Sequence, residues 1–213
     1  LKYYLFTNYF KSKSEDRQKE YDYCIEKNKI ASFDRIYLFV ENEKDMQEAS
    51  KFGVEVVNLF KRPNFKDFFD FICTEEFSNS VNVVSNTDIF FLNMQQIDNN
   101  MHRLVKGKSC FALTRYDYHI NRPSDLFDRP DSQDTWVFNG NERLELVKNV
   151  DFSMGIAGCD NRLAHELKEA GFEVFNPSRT IQTFHYHDVP LRTYLDNNTV
   201  RIQPPYLLLP PTY

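Results

Sequence analysis

Asn86, Thr87 and Asp88 interrupt an apolar run that begins at Val81 and resumes with Ile89-Phe90-Phe91. A β-branched run of this kind reads as a strand buried on both faces, and open α/β sheets bind ligands outside the carboxyl ends of such strands. Packing gives no reason for a carboxylate at that point, so Asn86 and Asp88 fall where chemistry is done. One residue apart on an extended chain, their side chains share a face and can meet one hard cation bridging to phosphate oxygens. An isolated Asn-x-Asp is more often a turn cap, so the reading needs support from elsewhere in the chain. His185 and His187 supply it. In Thr183-Phe184-His185-Tyr186-His187-Asp188 the two imidazoles alternate onto one face of a strand, where they can complete a metal site with Asp88. Nitrogen ligation favours Mn²⁺ over Mg²⁺, with His185 the first choice of ligand and His187 the second.

Asp131 and Asp134 stand at the end of an irregular loop leading into Thr135-Trp136-Val137-Phe138, which holds the only tryptophan. Such a pair can orient hydroxyls or take a proton from an attacking alcohol. Asp134 is the stronger candidate because it abuts the apolar strand and can be partly desolvated; the plainer account is a loop carboxylate bonding its own turn. Gly155 and Gly158 precede a helix start at Asp160. Glycine permits close backbone approach and a helix start favours anions or hydroxyl oxygens, but the spacing is not that of a phosphate loop, so the stretch reads as a ligand-shaped wall.

The elements that must position these residues alternate between periods of two and 3.6, the signature of an α/β sheet with helices on its faces. Strands are predicted over residues 3–7, 35–40 and 54–59. Ser14 caps a helix to about Ile30 with Tyr21, Cys24 and Ile25 inside, Asn42 and Asp45 open a helix closed by Gly53, and Asn64 starts one. In this last helix Phe65, Phe68, Phe69 and Ile72 follow the spacing of a buried helical face. The fourth strand carries Asp88. Beyond it the rhythm changes: strands over 109–115 and 135–138 flank a polar, Pro-containing stretch, 116–132, expected to be irregular. A helix capped by Asp160 and stopped by Gly171, a strand over 173–175 and a last strand over 180–186 complete the pattern.

With 213 residues and 41% hydrophobic content, the chain suits one well-buried domain, expected over 1–203. The Pro-rich stretch 204–213 reads as a tail or as a linker to a further domain. A net charge of −5 and the lack of any Lys/Arg block exclude a nucleic-acid or anionic-membrane surface. Cys24, Cys73, Cys110 and Cys159 are scattered without a CxxC pair, as expected of reduced thiols in a cytoplasmic compartment. No apolar run approaches a membrane span, so the chain reads as soluble.

In this order the segments resemble the nucleotide-sugar-dependent glycosyltransferases of the GT-A fold. The resemblance implies a single-domain, Rossmann-like α/β architecture, a central mixed β-sheet flanked by helices. It implies that Asn86-Thr87-Asp88 takes the place of the family's DxD motif, with Asn for the first Asp, and that His185 or His187 completes the metal shell. It further implies that Thr7, Asn8 and Tyr9 cradle the nucleotide base with Arg62 near the donor. Gln133 to Trp136 would face donor sugar and acceptor, and Gly155 to Asp160 would line the acceptor side. The implied partners are a UDP-sugar donor and a glycan or glycoprotein acceptor, with transfer of a hexose under retention. A narrower resemblance, to chlorovirus glycosyltransferase domains that decorate the major capsid protein, implies a viral capsid glycan and action in a host cytoplasm. Two rival readings use the same residues. One is a metal-dependent phosphohydrolase or nucleotidyltransferase built on Asp88 and His185; the other is a non-catalytic carbohydrate-binding module in which Asp134 and aromatic residues hold a glycan.

Overall fold

A computed structural model describes residues 1–189 and 201–213 of the chain. The first half follows the alternation read from the sequence: β1 (Lys2–Asn8), α1 (Glu15–Ile30), β2 (Arg35–Val40), α2 (Glu43–Ala49), β3 (Glu55–Asn58), α3 (Phe65–Ile72) and β4 (Ser80–Ser85). The helix starts are set by the side chains expected to set them. Ser14 accepts from the Arg17 amide, Asn42 from that of Asp45, and Asn64 and Asp67 form a reciprocal capping box. After Asp88 come β5 (Ile89–Phe90), α4 (Gln95–Asn100), β6 (Ser109–Leu113), β7 (Tyr116–His119), β8 (Arg122–Leu126), β9 (Thr135–Asn139), α5 (Cys159–Glu169), β10 (Glu173–Phe175) and β11 (Phe184–Tyr186).

Seven strands form a mixed sheet in the order β10-β6-β9-β4-β1-β2-β3, with β4, β1, β2 and β3 parallel and β9 antiparallel to both of its neighbours. Alternate residues of each strand feed opposite faces. On β1, Tyr4 and Phe6 join a core with Phe39, Phe68, Trp136 and Phe138, while Tyr3 and Leu5 join another with Leu38, Val83, Phe111 and Val137. Burial on both faces explains why these strands read as unbroken apolar runs.

A second, four-stranded sheet, β5-β11-β7-β8, stands apart from the first. Its β7–β8 hairpin occupies the stretch expected to be irregular. Tyr-Asp-Tyr-His opposite Arg-Pro-Ser-Asp-Leu shows no apolar alternation; what makes it a sheet is the parallel pairing of β7 with β11 and the edge position of β8, where Pro123 is tolerated. α1 is fastened to this sheet by aromatic contacts. The Tyr23 ring lies 5.7 Å from Phe90, 5.9 Å from Tyr118 and 5.1 Å from Tyr186. β11 is shorter than the expected 180–186 strand because Thr180 and Ile181 turn back, their amides donating to the Pro177 carbonyl.

One further expectation changes. α5 is not capped by Asp160: Gly158, at φ 82°, is the cap and Asp160 lies in the first turn. Residues 204–213 lie along the body, where the Leu207, Leu209 and Thr212 amides donate to the carbonyls of Asn161, Pro130 and Asn176. All four cysteines are free thiols, and burial pushes Cys73 up to about 11 and Cys159 to about 12, far from thiolate chemistry at neutral pH. Among the described residues no helix is long and apolar enough to cross a membrane.

Candidate functional site

Asp88 occupies the turn between β4 and β5, at the carboxyl ends of the parallel strands. The turn is fixed on three sides. The Asn86 amide donates to the Asp134 carbonyl at 3.0 Å, extending the β4–β9 ladder, and the Ile89 amide closes on the Asn86 carbonyl at 3.2 Å. The Thr87 hydroxyl lies 2.5 Å from the Asn8 carbonyl and 2.8 Å from its side-chain oxygen, which locks the end of β1 to the turn. From α1, Asn28 donates to the Ile89 carbonyl at 2.9 Å and accepts from the Phe91 amide at 3.0 Å. Opposite, the Tyr186 amide donates to the Asp88 carbonyl at 3.0 Å, so the backbone itself brings the His-x-His strand alongside Asp88.

His185 Nε2 stands 3.1 Å from Asp88 Oδ2, and ligand atoms of Asp88, His185 and His187 all lie within 4.8 Å of one another. Ligands each roughly 2.1–2.2 Å from a shared divalent ion, at near right angles, are themselves about 3 Å apart. The Asp88–His185 pair stands at this spacing, and with His187 within 4.8 Å the carboxylate and two imidazoles form a group that could hold such an ion, with a donor set that suits Mn²⁺. Side-chain cations also reach this site. Arg17 pairs with Asp88 Oδ2, donates to the Tyr186 carbonyl at 3.0 Å and pairs with Glu20 at 2.5 Å, while Glu20 accepts from the Asp188 and Val189 amides at 2.7 and 2.9 Å. Burial alone would raise the Asp88 carboxyl, but the His185 charge and hydrogen bond, with Arg17, hold it well below the usual carboxylate range. Burial works against the charged imidazole of His185. The Asp88 charge and the hydrogen bonds that the ring donates to Asp117 and Asp88 outweigh it and lift His185 to about 8.

The second carboxylate centre adjoins this one. Asp134 accepts from Asn86 Nδ2 at 2.8 Å and from Arg115 Nη1 at 2.9 Å. Asp160 is near enough for the Asp134 charge to act on it; burial first, then that charge, push its carboxyl up to about 6. Its Oδ2 accepts from the Gln133 amide at 3.1 Å. Arg62 Nη2 donates to the Met154 carbonyl at 3.0 Å, which holds the loop after β3 against the loop containing Gly155. Gly155, at φ 74°, has open space where a side chain would be.

Other expected residues stand elsewhere. Trp136 is 1% exposed and packs edge-on against Phe65 at 4.9 Å; it belongs to the core and offers no face to a sugar. Tyr9 is buried against Phe52, its hydroxyl accepting from Gln18, so it supports the end of β1 from beneath and presents no surface to a base. Thr7 is buried as well. Asp131 is paired with Arg129 at 2.6 Å, whereas Asp134 is paired with Arg115. The room at Gly158 is used by the chain: a Cβ there would meet the Tyr206 hydroxyl at 2.9 Å and the Ile202 carbonyl at 3.0 Å. Sequence reasoning missed Arg17, Glu20, Asn28, Arg115 and Asp117. For the first three the signal was present, because 17, 20, 24 and 28 share a helical face with the expected inner residues Tyr21, Cys24 and Ile25.

Two solved structures align over most of the chain. A mannosyltransferase, PcManGT from Pyrobaculum calidifontis, in complex with GDP-Man and Mn²⁺, superposes with a TM-score of 0.58 at 10% identity, covering 91% of this chain and 58% of that one. Residues 1–349 of S. aureus TarS in complex with UDP-GlcNAc give 0.57 at 8% identity, covering 90% and 60%. The fold is that of GT-A glycosyltransferases. The chain spans about 60% of the length of these GT-A neighbours. No protein-family model and no curated protein sequence matches it. One GT-A neighbour carries Mn²⁺ with its nucleotide sugar, and among the described residues of this chain Asp88, His185 and His187 form the group that could hold such an ion.

Proposed function

We propose that this chain is a metal-dependent glycosyltransferase that moves a hexose from a UDP-sugar to a glycan acceptor with retention of anomeric configuration. The observation that carries the reading is the 3.1 Å contact between Asp88 and His185, residues 97 apart in sequence, at the ligand-binding edge of a GT-A sheet. Asp88, His185 and His187 would hold Mn²⁺, which when bound supplies positive charge to a leaving diphosphate. Asn8 and Asn86 line the same edge on the donor side, and Arg62 keeps the Gly155 loop in place. Both Asp134 oxygens already accept a hydrogen bond, and each keeps a lone pair with which to hold a sugar hydroxyl. That occupancy suits an orienting role better than proton removal, which favours a mechanism without a dedicated base.

Calorimetric titration with UDP, with and without Mn²⁺, tests the reading. UDP affinity that requires Mn²⁺ and disappears in Asp88→Ala, with the thermal unfolding profile retained, is the expected outcome. Glycan binding that ignores both UDP and metal would point to a carbohydrate-binding module instead, and turnover of a nucleoside triphosphate to a nucleotidyltransferase.

A further inference from the structure

The His185 ring is held from both ends. Its Nε2 faces Asp88, while its Nδ1 lies 3.3 Å from Asp117 Oδ1. The second contact is built into the backbone, because Asp117 is the register partner of His185 in the parallel β7–β11 ladder. The same Asp117 oxygen accepts from Arg115 Nε at 3.0 Å. Arg115 then turns its Nη1 to Asp134 at 2.9 Å and to the Ser132 hydroxyl at 2.9 Å, with its guanidinium 4.2 Å from the Phe127 ring centroid. Largely buried and stacked, this guanidinium has little freedom to leave either carboxylate.

We propose that Asp117 and Arg115 are positioning residues: Asp117 keeps the Nδ1 proton of His185 so that Nε2 is offered to the cation, and Arg115 yokes Asp117 to Asp134. The inference rests on the proposed metal site and extends it to two residues that would touch neither ion nor sugar. The partner of one ring nitrogen decides what the other can do, and carboxylates that orient ligating histidines typically contribute 10- to 100-fold in metal affinity. Arg115 is suited to the bridge because its planar fork serves two carboxylates at once, whereas an ammonium cannot span both. Through it, the side chain that orients the ion's ligand and the carboxylate placed to hold the sugar keep a fixed separation.

Mn²⁺ titration of the full chain by electron paramagnetic resonance, with thermal unfolding measured in parallel, provides the test. Asp117→Ala should weaken Mn²⁺ binding by about 10- to 100-fold, and Asp117→Asn, which keeps an acceptor for Nδ1, by less. Arg115→Lys should weaken Mn²⁺ binding several-fold and also raise the KM for donor, since Asp134 loses its tether. Mn²⁺ affinity in a folded Asp117→Ala within twofold of the parent, while Asp88→Ala loses it, overturns this assignment and leaves the proposed function standing. Should Asp117→Ala fail to fold, equal affinities of Asp117→Asn and the parent overturn it in the same way. Absence of Mn²⁺ binding by the parent chain overturns both.

Discussion

Replacing Asp160 by Asn should stabilise the protein at alkaline pH and leave it unchanged in acid. Asp160 sits in the first turn of α5 beside Asp134, and burial with that neighbouring charge raises its carboxyl from 3.8 to about 6. The charged form is thus the disfavoured one in the folded state. A carboxylate raised in this way contributes its full stability below pH 3.8 and loses it as pH climbs through 6. At 1.36 kcal/mol per pH unit the rise corresponds to roughly 3 kcal/mol, and the partial exposure of Asp160 discounts this to about 1–2 kcal/mol. Asparagine keeps the acceptor that the Gln133 amide uses and removes the charge. Urea unfolding of parent and variant at pH 4.5, 6 and 8 isolates the effect of Asp160 and its coupling to Asp134, since titrating groups remote from them cancel in the difference. The variant's advantage should be about one third of its full size at pH 4.5 and reach about 1–2 kcal/mol at pH 8, a shift in Tm of roughly 2–8 °C for a domain of this size. A difference that stays flat with pH, or favours the parent at pH 8, would refute the assignment of Asp160 as a strained neighbour of Asp134.

Trp136→Ala should cost about 3–5 kcal/mol in urea unfolding, as a core truncation, and leave donor affinity intact wherever the variant is folded. Selective loss of sugar binding at unchanged stability would instead return the indole to the site. Asn28→Ala should cost roughly 2–4 kcal/mol, because it strands the Ile89 carbonyl and the Phe91 amide in a buried setting; hydrogen exchange at Phe91 should accelerate, and unaltered protection there would contradict the role given to Asn28.

The regular half of the fold was legible because each helix start is written in local chemistry, Ser14, Asn42 and Asn64, and each strand in a continuous apolar run. Asp88 and the two histidines stood out for the opposite reason, as polar residues where packing wants none. Trp136 was misplaced because a strand buried on both faces carries no alternation to tell a wet side from a dry one. The β7–β8 hairpin was hidden because its stability is borrowed from β11, far along the chain, and from tyrosines whose partners lie on α1. Arg17 and Glu20 share the inner face of α1 with Tyr21 and Cys24, yet two opposite charges three apart are also the pattern of a solvated pair. What that face meets, Asp88 and the backbone of 186–189, lies far along the chain, and no local pattern encodes it.

Asp88 and the His-x-His strand flank or belong to the small sheet, which shares no hydrogen-bonded strand with the large one. The rims that surround the remaining sheet ends, around Arg62 and Gly155, belong to separate loops. Insertions or substitutions in those loops can therefore accumulate without moving the three side chains, so this scaffold can drift in what it recognises while its ion-holding geometry stays put.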